Sequence, residues 1–276
     1  MNSASSKKLP SISVIIPSFN QLEGLQKTIK AFSSLRRRGI ELIVVDGAST
    51  DGSSAWIHSN SSDIDHILIE PDTGIYDAMN KGLKFTKGDW VWFMGTGDLP
   101  VIEGVEEILG VVEGRTSLIG ESDPEMLAFG VHLLAPREPG VPEYYNPVWN
   151  AKLVWRNTIH HQGAIYSRKL FKVDAYDLRF KVLADYHLHL RIWKKGVECS
   201  CFPAIIAEVA AGGVSRDFSR SLYKEERTLK RDVLSRWENM VQEVWTRAKW
   251  IMKKGVALAD NTKPHQIKTT TPSSTP

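Results

Sequence analysis

The chain has 276 residues and a formal net charge of +3 at pH 7. That length suits one large α/β domain with elaborations, or a domain with a helical appendage. The charge is too small to argue for nucleic acid, and no apolar run approaches the roughly 20 residues of a membrane-spanning helix. Met1 to Pro10 is polar, without a basic-then-apolar signal segment, and Cys199 and Cys201 are too close together to bridge. A cytoplasmic protein without a disulfide framework is expected.

Ile12 to Ile16 is a short apolar run ended by Pro17, a buried strand leading into the loop Ser18-Phe19-Asn20. Leu22, Leu25, Ile29 and Phe32 recur at helical spacing; Gly39 stops that helix, and Glu41 to Val45 is a second strand. Asp51-Gly52-Ser53 turns into a helix carrying Trp56 and Ile57. His66 to Ile69 is a third strand, Ile75 to Phe85 a helix, and Trp90 to Met94 a fourth strand. Strand and helix alternate, which predicts a parallel sheet covered on both faces.

After Pro100 the alternation decays. Val101 to Val112 reads as a helix, Ser117 to Gly120 and Met126 to Leu134 as strands of a mixed extension, and Pro136 to Pro147 as a loop. His160 to Tyr166 reads as a strand, Val182 to Lys195 as an amphipathic helix with Asp185 on it, and the two cysteines as part of another strand. Gly212-Gly213-Val214-Ser215 precedes a final helix whose stripe runs from Leu222 through Leu229, Val233, Trp237, Val241 and Val244 to Ile251. From Arg216 to Lys254 there are eleven Lys/Arg against six Asp/Glu, so the basic surplus belongs to this helix. With Trp237, Trp245 and Trp250 it suits either a membrane interface or packing on its own domain. Asn261 to Pro276 is Thr/Ser/Pro-rich and predicts a disordered tail.

Two strands end in acids. Asp46 closes Ile43-Val44-Val45, and Asp98 lies just past Trp90-Val91-Trp92-Phe93-Met94. In open α/β sheets, ligands bind outside the carboxyl ends of the strands. A dinucleotide fold fails, because Pro17-Ser18-Phe19-Asn20 has no glycine for a pyrophosphate and Pro100 stands where Gly95-Thr96-Gly97 would need a third. A Gly-Lys-Ser/Thr phosphate loop is absent as well. A nucleotide diphosphate met by acids requires a cation between them, and hard oxygens suit Mg²⁺ or Mn²⁺. Asp98 is the metal candidate; Asp46 and Asp72 are placed to accept hydrogen bonds from a base or ribose. Plainer roles stand beside these. Asp51 shapes a turn or caps a helix, Asp77 and Asp98 are each placed to cap one, and Asp185 lies where a helix commonly shows a solvated acid. His187 and His189, two apart on a predicted helix, point to different faces and make a poor shared metal site.

Ser13 to Asn20, Val44 to Ser53 and Asp72 to Gly82 resemble the family 2 glycosyltransferases of the GT-A fold, most closely the branch that builds bacterial exopolysaccharides such as colanic acid. The resemblance covers about residues 11–215. It implies an α/β fold with a Rossmann-like, mostly parallel central sheet flanked by helices, followed by a C-terminal amphipathic helical segment. It also implies an inverting, hexosyltransferase-type transfer of a sugar from a nucleotide-diphosphate donor to a hydroxyl of a saccharide or lipid-linked acceptor. Pro17, Asn20, Asp46 and Asp72 would line the nucleotide site; Asp77, Lys81, Thr96 and Gly97 would lie near the donor phosphates or sugar. Asp98 would be the last acid of a metal-binding Asp-x-Asp motif, whose first acid is Thr96 here, weakening the expected Mg²⁺ or Mn²⁺ site. Asp185 in Ala184-Asp185-Tyr186 would be the general base, and His161 and Gln162 are the acceptor-side candidates.

The expected organisation is a flexible 1–10, a catalytic domain over 11–215 (nucleotide-sugar half 11–115, acceptor half 116–215), a basic amphipathic helix over 216–256 and a tail over 257–276. The helix has two expected uses: peripheral contact with the inner face of the membrane through 222–254, in polysaccharide or glycolipid assembly, or packing on the catalytic domain or a second subunit. The rival readings are a non-catalytic binding or scaffold subunit, and a sugar-nucleotide pyrophosphorylase, whose Gly-rich loop Pro17 to Gln21 does not match.

Overall fold

The computed structural model describes residues 11–114, 124–134, 142–173, 175–210, 219–242 and 244. Strand β1 (Ile12–Ser18), helix α1 (Leu22–Phe32), β2 (Ile40–Asp46), α2 (Ser53–Ser59), β3 (His66–Ile69), α3 (Ile75–Leu83) and β4 (Trp90–Phe93) follow the predicted alternation. Then come β5 (Leu99–Pro100), α4 (Ile102–Val112), β6 (Met126–Leu133), β7 (Tyr144–Tyr145), β8 (Ala164–Ser167), α5 (Ala184–Lys194), β9 (Cys199–Val209) and α6 (Arg220–Val233). One sheet runs β3-β2-β1-β4-β8-β6-β9-β5, with β7 paired to β6. Strands β3, β2, β1 and β4 are parallel, whereas β8 joins β4 and β6 antiparallel and β5 joins β9 antiparallel.

Every residue of β1 and β2 is buried, as expected of parallel strands covered on both faces. The two-residue side-chain period then divides the core. Ile12, Val14 and Ile16 pack with Leu25, Ile29 and Phe32 of α1, while Ile15 packs with Tyr76, Ala78 and Met79 of α3. Each such fully buried side chain contributes about 1.5–3 kcal/mol. Both helices are thereby fixed against the sheet with their N-termini at the carboxyl ends of β1 and β3. That end also carries the loop 94–98, and β9 returns to it at Val209.

Three expectations need correction or completion. His160 to Tyr166 is not one strand: His161–Gly163 forms a 3-10 turn and β8 begins at Ala164. The indole N–H of Trp92 donates to the carbonyl of Gln162 at 2.8 Å, tying that turn to β4. Within the predicted loop 136–147, Tyr144–Tyr145 pairs with β6, and residues 136–141 lie outside the described residues. The stripe beginning at Leu222 is not one helix. Leu234 is extended (φ −89°, ψ 152°), and helix resumes at 236. The restart has a local cause: Ser235 Oγ accepts from Glu238 N at 3.3 Å and Glu238 Oε2 accepts from Ser235 N at 2.9 Å, a capping box. The predicted strand 117–120, the loop 212–215, the terminal segment 1–10 and the tail 257–276 lie outside the described residues.

Candidate active site

The carboxyl ends of the parallel strands surround a cavity of about 450 Å³, within the usual range for small-molecule sites. Pro17, Ser18, Phe19 and Gln21 from the β1 loop line one part, and Asp72, Gly74, Ile75 and Ala78 another. Gly95, Thr96, Asp98 and Gln162, with Val209 and Ala210 at the end of β9, complete it. Of the predicted site residues, Pro17, Asp72, Thr96, Asp98 and Gln162 therefore come together here. Asn20, Asp46, Asp77, Lys81, Gly97, His161 and Asp185 do not line this cavity.

Asp98 is held from distant parts of the chain. Its Oδ2 accepts from Gln162 Nε2 at 2.8 Å and its Oδ1 from the backbone N–H of Ala210 at 2.9 Å. Gln162, expected on the acceptor side, thus joins Asp98. The loop beneath is clamped to α1: Gly97, at φ +91°, donates its N–H to Thr28 Oγ1 at 2.9 Å, and that hydroxyl bonds the Asp98 carbonyl at the same distance. Only glycine adopts that backbone without strain. Asp98 does not cap α4, which starts at Ile102 after an extended Val101.

Asp46 and its neighbours build the loop rather than the wall. Asp46 is fully buried and accepts from Ser49 N, Ser49 Oγ and Ser54 Oγ at 2.9, 2.6 and 2.6 Å. Asn20 Oδ1 accepts from Thr50 N at 2.8 Å, and Asp51 accepts from Leu22 N and Ser53 N at 2.9 and 3.0 Å. These bonds lock the β1 and β2 loops together and hold Asn20 (φ 49°) and Ala48 (φ 60°) in the left-handed region. A Cβ at Gly47 would lie 2.6 Å from Asp72 Oδ2. Asp72 approaches the β2 loop because that position has no side chain.

Asp77 and Lys81 anchor α3. Asp77 Oδ2 accepts from Thr73 N at 2.9 Å and Thr73 Oγ1 at 3.2 Å, and the Thr73 amide holds its carboxyl below the usual range. Lys81 Nζ pairs with Glu70 at 2.9 Å and donates to the Pro71 carbonyl at 2.7 Å. His161 packs between Phe93 and Tyr76, with Nε2 2.8 Å from Tyr176 Oη, and burial pushes its imidazole down to about 3.

Asp185 sits in the first turn of α5. Tyr76 Oη donates to its Oδ1 and Asn157 Nδ2 to its Oδ2, both at 3.1 Å, and burial pushes the carboxyl up to about 6. Tyr76 follows the cavity-lining Ile75, which places this acid beside the α3 edge of the site. Asn157 and Tyr76 were not visible as site residues in the sequence. The available signals were Asn157 within the polar run Arg156 to Gln162 before a buried strand, and a tyrosine in the first turn of α3.

For a divalent cation, Asp98 offers carboxylate oxygens in the cavity, chemistry suited to Mg²⁺ or Mn²⁺ with few protein ligands. A separate cluster, Asp177, His187 and Asp232, lies within 4.8 Å. Its two carboxylates are already bridged by Arg179 at 2.6 and 2.5 Å.

Residues 13–119 match Glycosyl transferase family 2. An uncharacterized glycosyltransferase of Mycobacterium tuberculosis is 34% identical over 188 residues, covering 66% of this chain and 68% of that protein. The chain belongs to glycosyltransferase family 2. A PGL/p-HBAD biosynthesis glycosyltransferase of Mycobacterium bovis is 28% identical over 206 residues, covering 71% of this chain and 72% of that one. Among solved structures, S. aureus TarS 1-349 in complex with UDP-GlcNAc superposes with TM-score 0.63 at 15% identity, over 79% of this chain and 65% of that one. The chain thus spans just under two thirds of that TarS fragment. The mannosyltransferase PcManGT from Pyrobaculum calidifontis, in complex with GDP-Man and Mn²⁺, gives 0.57 at 17% identity, over 94% and 77%. This family 2 chain has the GT-A fold of those enzymes, with a curled sheet flanked by helices.

Proposed function

We propose that the chain is an inverting glycosyltransferase with Asp185 as its general base. The acceptor hydroxyl oxygen bonds to the anomeric carbon, the carbon–oxygen bond to the donor diphosphate breaks, and the hydroxyl proton passes to Asp185. The observation that carries this is the environment of Asp185: two side-chain donors aim it, and burial raises it to about 6, close to where a base works best near neutrality. Replacing Asp185 with Asn should cut turnover by orders of magnitude and leave donor binding intact. An active D185N enzyme overturns the assignment.

In this reading the cavity takes the nucleotide-diphosphate sugar. Phe19, exposed on its wall, offers a face on which a base stacks, and Asp72 accepts from base or ribose. Asp98 would hold Mg²⁺ or Mn²⁺ together with donor oxygens, and such an ion supplies neutralising charge for the leaving diphosphate. Asp46 and Asn20 shape this wall from behind, and Asp77 and Lys81 fix α3. A thermal-shift panel of UDP-, GDP-, dTDP- and CMP-sugars with and without Mn²⁺ tests it, because a ligand that binds only the folded state stabilises it. One stabilising nucleotide is expected, with a larger shift in Mn²⁺. No shift with any donor contradicts the reading and favours a non-catalytic subunit.

The acceptor side is a saccharide or lipid-linked saccharide in polysaccharide or glycolipid assembly, reached from a membrane surface. No helix among the described residues is long and apolar enough to cross a membrane. The apolar stripe instead divides: Leu229 of α6 packs into the core beside α5, while Trp237 (76% exposed), Met240, Val241 and Val244 (69%) face outward on the next helix. With the basic residues that follow in sequence, this face suits an anionic lipid surface. Vesicles of anionic lipid should sediment the full chain, and a Trp237→Glu, Val241→Glu variant should stay in solution. Equal sedimentation of both would remove the membrane from the account.

A further inference from the structure

Behind Asp185 a series of buried polar side chains runs into the core. Asn157 Nδ2 donates to Asp185 Oδ2 at 3.1 Å, Asn157 Oδ1 lies 3.1 Å from His189 Nδ1, and His189 Nε2 lies 2.7 Å from Tyr166 Oη. His189 and Tyr166 are completely buried. Asp185 and His189 are four residues apart on α5 and so share a helix face.

The chemistry gives the series one direction. An ionised carboxylate only accepts, so the Asn157 amide nitrogen faces Asp185 and its oxygen faces the imidazole. The imidazole must then carry its proton on Nδ1, and the bare Nε2 accepts from the Tyr166 hydroxyl. The His189 ring lies nearly parallel to Tyr166 (centroids 5.9 Å, 20°) and meets the Trp149 ring edge-on (6.5 Å, 81°), so its plane is set by packing. The single Tyr76 hydroxyl proton is shared between the other Asp185 oxygen at 3.1 Å and the Val182 carbonyl at 2.9 Å.

We propose that Asn157 and His189 are positioning residues of the transfer reaction, linking Tyr166 to Asp185 in a one-way hydrogen-bond chain that aims Asp185 and favours its ionised form. This rests on Asp185 being the base. The chain needs His189 neutral, and its complete burial keeps it so: the imidazole is pushed down to about 3. The other titratable groups around Asp185 are the phenols of Tyr76, Tyr145, Tyr166 and Tyr176, all pushed upward by burial, and His161, pushed down to about 3. Glu225 of α6 accepts from the N–H groups of Val182 and Leu183 at 2.8 and 2.7 Å at the start of α5. Burial brings Asp185 to about 6, between these lowered imidazoles and raised phenols.

The test is the pH profile of nucleoside diphosphate release from a donor sugar, with four variants beside the parent. Asn157→Ala and His189→Phe should move the acid limb upward by about one unit. Turnover should then fall roughly fivefold at pH 6 and recover to within about threefold at pH 8.5, with donor KM unchanged. His189→Asn, whose amide nitrogen replaces Nδ1–H, should restore the parental limb. A uniform loss across pH with the limb unmoved overturns the proposal and makes the chain structural only. Asp185→Asn separates the two claims. If it is inactive while Asn157→Ala keeps the parental limb, positioning fails and the base stands; if it is active with the parental limb, both fail. Should His189→Phe not fold, Asn157→Ala and Tyr166→Phe carry the same readout.

Discussion

Asp77 and Asp185 both occupy the first turn of a helix, and their surroundings are opposite. Asp77 is served by its own neighbourhood: Thr73 donates twice from four residues back, and Lys81 lies four residues ahead. Those partners hold its carboxyl below the ordinary range. Asp185 takes its partners from positions 109 and 28 residues away, and burial outweighs them, pushing it up to about 6. An acid saturated by local donors is a cap; an acid held by distant donors and stripped of water is a tuned proton acceptor. Asp98 is likewise held from a distance, by Gln162 and Ala210 from 64 and 112 residues away.

That contrast orders the expected effects of substitution. Asp185→Asn should cost roughly 10²–10⁴-fold in turnover, read as nucleoside diphosphate release with water or acceptor present; a loss under threefold would place Asp185 with the caps. Asp98→Asn should cost about 10²-fold, with the thermal response to Mn²⁺ and donor lost together. A variant keeping both would remove Asp98 from the donor site. Gly47→Ala puts a Cβ 2.6 Å from Asp72 Oδ2, so donor KM should rise by about tenfold with kcat little changed, for a clash of about 1–3 kcal/mol. Asp77→Ala should cost about 1 kcal/mol in urea unfolding and leave kcat within about twofold; a large loss of activity would break the distinction from the other side.

The distinction also predicts a pH dependence of stability with a definite sign. Burial raises Asp185 above its ordinary 3.8 to about 6, so the folded chain binds that proton more tightly than the unfolded one. Its favourable contribution is full below about 3.8 and is lost as pH rises toward 6. The stability of the parent relative to D185N should therefore decline over that window and stay level above it. A difference independent of pH would contradict a raised Asp185.

The same contrast explains what was legible in the sequence. The first half of the sheet could be read because β1, β2 and β4 are mostly apolar runs and the helices between them carry apolar stripes at 3.6-residue spacing. The capping roles of Asp51 and Asp77 could be read for the same reason, since their partners lie mostly within a few residues. Gln162 and His161 are adjacent and face different surroundings, one toward Asp98 and the other toward Tyr176, within a 3-10 turn where a strand was expected. Pairing His189 with His187 hid its tie to Asp185 one helical turn away, a signal present in the spacing. Asn157 offered less: it meets Asp185 only when the segment before β8 packs against α5. The break at Leu234 was visible as Ser235-Arg236-Trp237-Glu238, a capping box inside an otherwise continuous stripe.

The decisive measurement is the pH dependence of donor turnover by the parent and D185N side by side. The parent rate should rise about tenfold per unit up to about pH 6 and then level, while D185N should be slow and flat over the same range. A D185N enzyme that keeps the parental limb and plateau would show that another group takes the proton, and Asp185 would join the structural acids.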